Sequence, residues 1–336
     1  MRKHAAIAML LFCPLAGCSS RSASPESDLR LNQIQVKGTH NSYHVAPETY
    51  YNKYFDYTMP SLTEQLDTHG VRQFEIDVHY HPAEGRFAVY HTPPMFLDSG
   101  TTCYWLSDCM SEMRAWSDAH RRHHALMIFI EPKDDLVDPE HPDDTEETLL
   151  TGHFEELDAE LLSIWTRERV YTPDDLQGGH ASVAEALAAD GWPTIASTRG
   201  KVLFAMMDSG AHRAEYTHGE TSLDGRLIFA AADPSKPYAA IQRFDNPLNN
   251  EEAIAEAVQA GMLIRSRADA TDEPLAGDYS RQEAALRSGA QMISTDYPAP
   301  VSDREYWLDI PGGTPSRCNP VNAPPECRSQ EIEDLP

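Results

Sequence analysis

Basic residues are scarce in this chain: 27 Lys plus Arg face 53 Asp plus Glu over 336 residues, a formal net charge of -26. A nucleic-acid binder needs cations to displace the counterions of phosphate, so that class of partner is excluded. Membrane-spanning runs are missing too: the N-terminal apolar stretch from Ala5 to Leu15 is too short to cross a bilayer. The alternating Asp or Asn with a central Gly that marks a calcium-binding loop does not occur in the acidic stretch 131–160. What is present is ordinary globular composition, 41% hydrophobic and 24% charged, which argues against a disordered chain or a multi-span membrane protein and leaves enough apolar residues for a large core.

Arg2-Lys3-His4, the apolar run to Leu15 and Leu15-Ala16-Gly17-Cys18 form a charged region, a short hydrophobic region and a small-residue cleavage site. The Leu-Ala-Gly-Cys box resembles a bacterial lipoprotein signal. That resemblance implies a signal peptide over 1–17, a lipid on Cys18 and a protein anchored in the cell envelope, at the outer membrane or cell surface. Plain secretion with an incidental cysteine is the alternative. Ser19 to Asp28 is Ser-rich with no apolar periodicity and reads as a tether over 18–28. Of six cysteines, Cys13 would leave with the signal and Cys18 would be lipidated. The other four fall into two local pairs, Cys103–Cys109 and Cys318–Cys327, expected as disulfides in an oxidising compartment. Zinc is the rival, but neither pair has the short gap of a zinc knuckle.

Beyond the tether, short apolar, β-branched or aromatic runs recur at Ile34–Gly38, Gln73–Val78, Phe87–Tyr90, Leu126–Ile130, Lys201–Met206, Leu227–Ala231, Met262–Arg265 and Gln291–Ser294. Helical patterns at Met110–Arg122, Thr145–Arg169, Val183–Asp190, Asn250–Ala260 and Tyr279–Ser288 lie between most of them. Strand and helix alternation of this kind builds a parallel sheet, and eight units predict a single (β/α)8 TIM barrel over 29–310. Residues 311–336, rich in Pro, Gly and acids, read as a surface appendage. Glu131–Glu160 holds 13 acids and one Lys, a pattern expected of solvated loop and helix face. His120, Arg121, Arg122, His123 and His124 crowd a helix end, where cations are favoured, and receive no catalytic role.

In such a barrel, polar residues at the C-terminal strand ends make the site. These are His40 and Asn41 after strand one, Glu75 and Asp77 on strand two, His91 after strand three, and Glu131 and Lys133 on strand four. Glu75 and Asp77 are two residues apart, as are Glu131 and Lys133, so each pair shares a strand face. Three carboxylates and an Asn oxygen converging inside a barrel are intolerable as bare charge, and a hard cation with oxygen ligands resolves this. Two histidines at the same mouth supply a proton acceptor and a proton donor for phosphodiester cleavage.

Gly38-Thr39-His40-Asn41-Ser42, Glu75-x-Asp77, His91 and Glu131-Pro132-Lys133, in that order, resemble the bacterial branch of the calcium-dependent phosphatidylinositol-specific phospholipase C family. Ile264-Arg265-Ser266-Arg267-Ala268-Asp269, Ser288-Gly289-Ala290-Gln291 and Ser294-Thr295-Asp296-Tyr297-Pro298 are similar to its seventh and eighth strand ends, so the likeness runs from Leu31 to Asp309. The resemblance implies that Asn41, Glu75, Asp77 and Glu131 ligate Ca2+ and that His40 and His91 are the catalytic pair. It also implies attack of the inositol 2-hydroxyl on its own phosphate, giving a 1,2-cyclic phosphate and diacylglycerol. His91 would be the general acid; His40 would steady the phosphorane and assist the hydroxyl, the base being left open between it and a metal-bound carboxylate. Lys133 and Arg267 are expected to contact phosphate or inositol, or else to form ion pairs at the rim. The partner expected is an inositol phospholipid at a membrane surface, met by a monomer.

A glycerophosphodiester phosphodiesterase is the nearest rival, but that family begins with His-Arg where this chain has His40-Asn41. Metal-independent bacterial phospholipases carry a basic residue where Glu75, Asp77 and Glu131 stand here. A lipid-anchored protein that only binds Ca2+ or a polyol would not need both His40 and His91.

Overall fold

The computed structural model describes residues 28–48, 53–92, 98–134, 149–270, 272–302, 304–312 and 315–333. Cys18, the expected signal peptide, nearly all of the tether, the acids from Asp135 to Glu147 and the start of the helix expected from Thr145 lie outside the described residues.

The strands are β1 Ile34–Thr39, β2 Val71–His81, β3 Arg86–Ala88, β4 Leu126–Pro132, β5 Val202–Met206, β6 Phe229–Ala230, β7 Ile241–Phe244, β8 Leu263–Arg267, β9 Met292–Thr295 and β10 Ser316–Cys318. Eight of them are parallel neighbours in the order β6-β5-β4-β2-β1-β9-β8-β7. The two ends of that run meet through one parallel bridge between Ala231 and Ile241, which nearly closes the expected α/β barrel. The strands are buried almost throughout because both faces are covered, the inner by the opposite strands and the outer by helices. Leu106, Met110 and Met113 of helix Leu106–Ala119, Leu157, Leu161 and Trp165 of Phe154–Arg169, and Ile254 and Val258 of Pro247–Gln259 join the strand residues in one core. Helix starts are set locally: Ser182 caps Val183–Asp190 through the Glu185 amide, and Asn246 with Pro247 opens Pro247–Gln259.

One expected barrel strand is corrected. Phe87–Tyr90 does begin a strand, but β3 is antiparallel to the outer end of β2, with Tyr80 opposite Phe87, across a turn that contains Gly85 in the left-handed region. The barrel position belongs to β7 instead. Its sequence, Ile-Gln-Arg-Phe, is short and half polar and gives no strand signal of its own.

The C-terminal residues also differ from expectation. β10 pairs antiparallel with Ile34–Val36 of β1, and the Cys318–Cys327 disulfide closes the loop that follows. Glu333, 8% exposed, receives Arg72 Nε and Nη2 at 2.9 and 2.5 Å and the backbone amide of His124 at 2.8 Å. Arg72 is fully buried at the start of β2, so this segment seals the N-terminal end of the barrel rather than lying on its surface. His123 and His124, expected with their neighbours at a helix end, are buried in the same region. The second disulfide, Cys103–Cys109, clamps the loop before helix Leu106–Ala119.

Removing one partner of a buried ion pair strands the other, so Glu333→Ala should cost about 3–5 kcal/mol of stability. Exposed Glu331→Ala should change it by about 0.5 kcal/mol or less. Denaturant titration of the two variants measures the contrast, and equal midpoints would contradict the assigned role of Glu333.

Candidate active site

Parallel register assembles the carboxylates. β2 and β4 pair with Asp77 directly beside Glu131, and the two-residue period of β2 turns Glu75 to the same interior. One oxygen from each of Glu75, Asp77 and Glu131 lies within 4.8 Å of the others. Glu75 is neutralised by Arg265 of β8, whose Nη2 donates to it at 2.5 Å, both side chains being 1% exposed. Lys133 Nζ stands 2.7 Å from Glu131 and 3.1 Å from Asp77. Asp77 is nonetheless left short: it is fully buried and, beyond the Lys133 ammonium at 3.1 Å, neither carboxylate oxygen has a well-formed hydrogen bond among the described residues. Burial, with the charges of Glu131 and Glu75 and against that of Lys133, pushes its carboxyl up to about 7. For Glu131, burial is outweighed by the Lys133 ammonium, which holds the carboxyl below its ordinary range.

The donor set fits Ca2+. Oxygen ligands at about 2.3–2.6 Å from one ion stand no more than about 5 Å apart, and the three carboxylates meet that spacing. The unsatisfied oxygens of Asp77 are what such an ion would complete. Asn41 follows the end of β1 with φ 43°, a left-handed conformation that Asn tolerates better than most residues. It is buried with its amide against the Tyr57 hydroxyl, and the next residue, Ser42, exchanges hydrogen bonds with the backbone of Glu75.

The two expected histidines border this cluster, each backed by a carboxylate. His40 Nδ1 donates to Asp296 at 2.7 Å, leaving Nε2 at 3.6 Å from Glu75 and 3.4 Å from Arg267 Nη1. Arg267 is itself paired with Asp296 at 3.0 Å and Asp269 at 3.6 Å. His91 Nδ1 stands 2.6 Å from Asp98. Burial opposes its protonation, but the hydrogen bond with Asp98 and the nearby charge of Asp77 win and raise its pKa. His91 thus arrives on the loop after the β3 hairpin, not at a barrel strand end as the sequence suggests. Beside Glu131 the mouth continues as a cleft of about 250 Å³ lined by Asp208, Ser209, His212 and Arg243.

His40, Asn41, Glu75, Asp77, His91, Glu131, Lys133 and Arg267 therefore all border one mouth, with Lys133 and Arg267 engaged in ion pairs there. Sequence reasoning misses Arg265, Asp98 and the role of Asp296. Arg265 was within reach, since it shares a strand face with Arg267 at two-residue spacing. Asp98 lies in an irregular loop and carries no periodic signal.

Among solved structures, the calcium-dependent phosphoinositol-specific phospholipase C from the Gram-negative bacterium Pseudomonas sp. superposes with a TM-score of 0.61 at 16% identity, covering 87% of this chain and 96% of that one. The Ca2+-dependent phosphatidylinositol-specific phospholipase C from Streptomyces antibioticus gives 0.57 at 22% identity, over 80% and 95%. At these identities the likeness establishes the barrel fold. No curated protein matches by sequence. The family model described as phosphoinositide phospholipase C, Ca2+-dependent, matches residues 29–96 and 89–320, which takes in both histidines and all three carboxylates. By that match the chain belongs to the Ca2+-dependent phosphoinositide phospholipase C family.

Proposed function

We propose that this phosphodiesterase cleaves phosphatidylinositol, or a closely related inositol lipid, to diacylglycerol and inositol 1,2-cyclic phosphate. The observation that carries the reading is the pair of carboxylate-backed imidazoles, His40 with Asp296 and His91 with Asp98, beside the buried Glu75 and Asp77 and the half-buried Glu131. Glu75, Asp77 and Glu131, with Asn41, would hold Ca2+, which when bound would acidify the inositol 2-hydroxyl and offset the charge that develops on the phosphate. His91, protonated and held through Nδ1, delivers the proton of Nε2 to the departing diacylglycerol oxygen. His40 presents Nε2 to the attacking side, where Glu75 is close enough to share the hydroxyl proton. Arg267, next to His40 Nε2, is placed to bear phosphate charge, and Lys133 holds Asp77 and Glu131 in register.

The mouth also suits a lipid surface. Tyr54, Tyr104, Leu149, Leu248, Leu275 and Val301 are the exposed large hydrophobics among the described residues, and every one lies on a segment that follows a barrel strand, on the face of the site. A lipid on Cys18 and the tether behind it would hold that face at a membrane, in a monomer.

Purified chain in detergent should release cyclic inositol phosphate from phosphatidylinositol with Ca2+ and not with EGTA, and should leave phosphatidylcholine and glycerophosphodiesters intact. His91→Ala should lower kcat by about 10²–10⁴-fold with Ca2+ affinity preserved. No cyclic product under any condition would overturn the reading.

The raised Asp77 carboxyl gives a signed stability prediction. Between its ordinary 3.8 and about 7 the unfolded chain releases this proton while the fold retains it. Without divalent cations, therefore, the thermal midpoint should fall as pH rises through that interval. Saturating Ca2+ or Asp77→Asn should flatten the slope, and a slope unchanged by either would remove Asp77 from the cation site.

With a net charge of -26, the protein should approach strongly anionic vesicles better at moderate than at low salt. Turnover on such vesicles measured against ionic strength tests this, and a monotonic fall would count against apolar docking.

A further inference from the structure

Next to the site, His44 is a buried histidine that this chemistry has not used. It is 0% exposed, and its ring stacks on Tyr57 with centroids 4.3 Å apart. Nδ1 lies 2.9 Å from the Tyr57 carbonyl oxygen and Nε2 lies 2.8 Å from Asp98 Oδ1. Asp98, also 0% exposed, turns its other oxygen to His91 Nδ1. One carboxylate thus joins two imidazoles. A carbonyl oxygen has no proton to give, and the hydrogen bonds from both imidazoles hold the Asp98 carboxyl below its usual range in spite of burial. Each nitrogen of the His44 ring thus faces an acceptor oxygen, with Nε2 the one placed to donate to the Asp98 carboxylate.

We infer that His44 is a positioning residue, the inner member of a His44–Asp98–His91 chain. It fixes the Asp98 carboxylate, which in turn fixes the His91 ring with Nε2 directed to the leaving oxygen. A carboxylate held on one side only could rotate and release His91, whose side chain is 26% exposed and has no other described hydrogen bond. Buried as it is, Asp98 also needs a second donor to be tolerable as an anion, and His44 supplies it.

The backbone supports the same assignment. The strip that carries Asp98 is zipped to the strip that carries His44: Val45 donates to Gly100, Thr102 donates to Tyr43, and His44 bridges Thr101. At Gly100 a Cβ would meet the Val45 carbonyl oxygen at 2.2 Å, so glycine alone permits this approach. Thr92, next to His91, donates to the Asp98 carbonyl at 3.1 Å. Three short segments, around residues 44, 92 and 98, are thus tied at the one carboxylate that the two histidines share.

The inference rests on the phospholipase reading for its kinetic consequence, and a spectroscopic arm separates the two. In the ¹⁵N-labelled full chain without substrate, His44 should show a protonated Nε2 and His91 a far-downfield, slowly exchanging Nδ1 proton. His44→Phe keeps a ring against Tyr57 but has no donor. It should lose the His91 resonance to exchange and lower kcat about 100-fold, as misplacement of a catalytic group does, with KM unchanged. His44→Gln, whose amide can reach Asp98 from the Nε2 position, should recover both in part. A folded His44→Phe variant with the His91 resonance and kcat intact overturns the inference. If that variant does not fold, the wild-type spectrum decides, and a His44 Nε2 without a proton is the overturning result. Absence of lipid cleavage by the wild type would sink the proposed function while leaving the spectroscopic arm readable.

Discussion

Three carboxylates face one another inside a low-dielectric barrel, and most of what is distinctive in this protein follows from making that arrangement tolerable. Isolated, each anion would cost far more to bury than the few kcal/mol by which a fold is stable. The chain meets the cost with cations supplied from other strands. Arg265 crosses from β8 to Glu75, and Lys133 reaches back from the end of β4 to Asp77 and Glu131. The compensation is incomplete by design of the register. β2 and β4 place Asp77 beside Glu131, Lys133 is shared between them, and the oxygens of Asp77 remain without hydrogen bonds. A carboxylate fully satisfied by protein would have little affinity for an added ion, so the shortfall at Asp77 is what would give the mouth an affinity for a divalent cation.

The histidines obey the same logic in the opposite sense. Each has one nitrogen committed to a carboxylate, which leaves the other for the proton transfer proposed for it and fixes the ring from behind. The two partners come from unrelated places. Asp296 closes β9 on the barrel itself, whereas Asp98 belongs to the long excursion between β2 and β4 that includes the β3 hairpin. That excursion is stapled by Cys103–Cys109 and zipped to the turn after β1, which explains how an irregular loop can hold a side chain firmly enough for chemistry.

What was legible in the sequence is what strand geometry makes periodic. Glu75 and Asp77 could be read as neighbours on one face because a strand repeats every two residues, and the same rule should have drawn Arg265 along with Arg267. The rule fails where length or regularity runs out. Ile241–Phe244 has four residues, two of them polar, and forms a barrel strand because its neighbours leave that gap to fill. Phe87–Tyr90 has the stronger pattern and pairs only with the protruding end of β2. Contacts set by tertiary closure were invisible altogether. Arg72 and Glu333 are 261 residues apart, and nothing near either of them announces the other.

The two ends of the barrel show why stability and function divide as they do. Both bury carboxylates against arginine, yet Glu333 gains two bonds from Arg72 and a backbone amide, while Asp77 gains one ammonium at 3.1 Å. At the N-terminal end every described charge of the cluster has a close partner, and the segment locks. At the C-terminal end the partners are shared, Glu131, His40 and His91 are partly open to solvent, and an ion or a phosphate could compete for them. The excess of acid over the whole chain would by itself repel an anionic lipid. Within the mouth the sign of the local field is set instead by Lys133, Arg267 and whatever cation the carboxylates hold, over distances shorter than the screening length at physiological salt. Net charge would therefore govern how the proposed enzyme approaches a lipid surface, and the carboxylates around Asp77 what it could do once there.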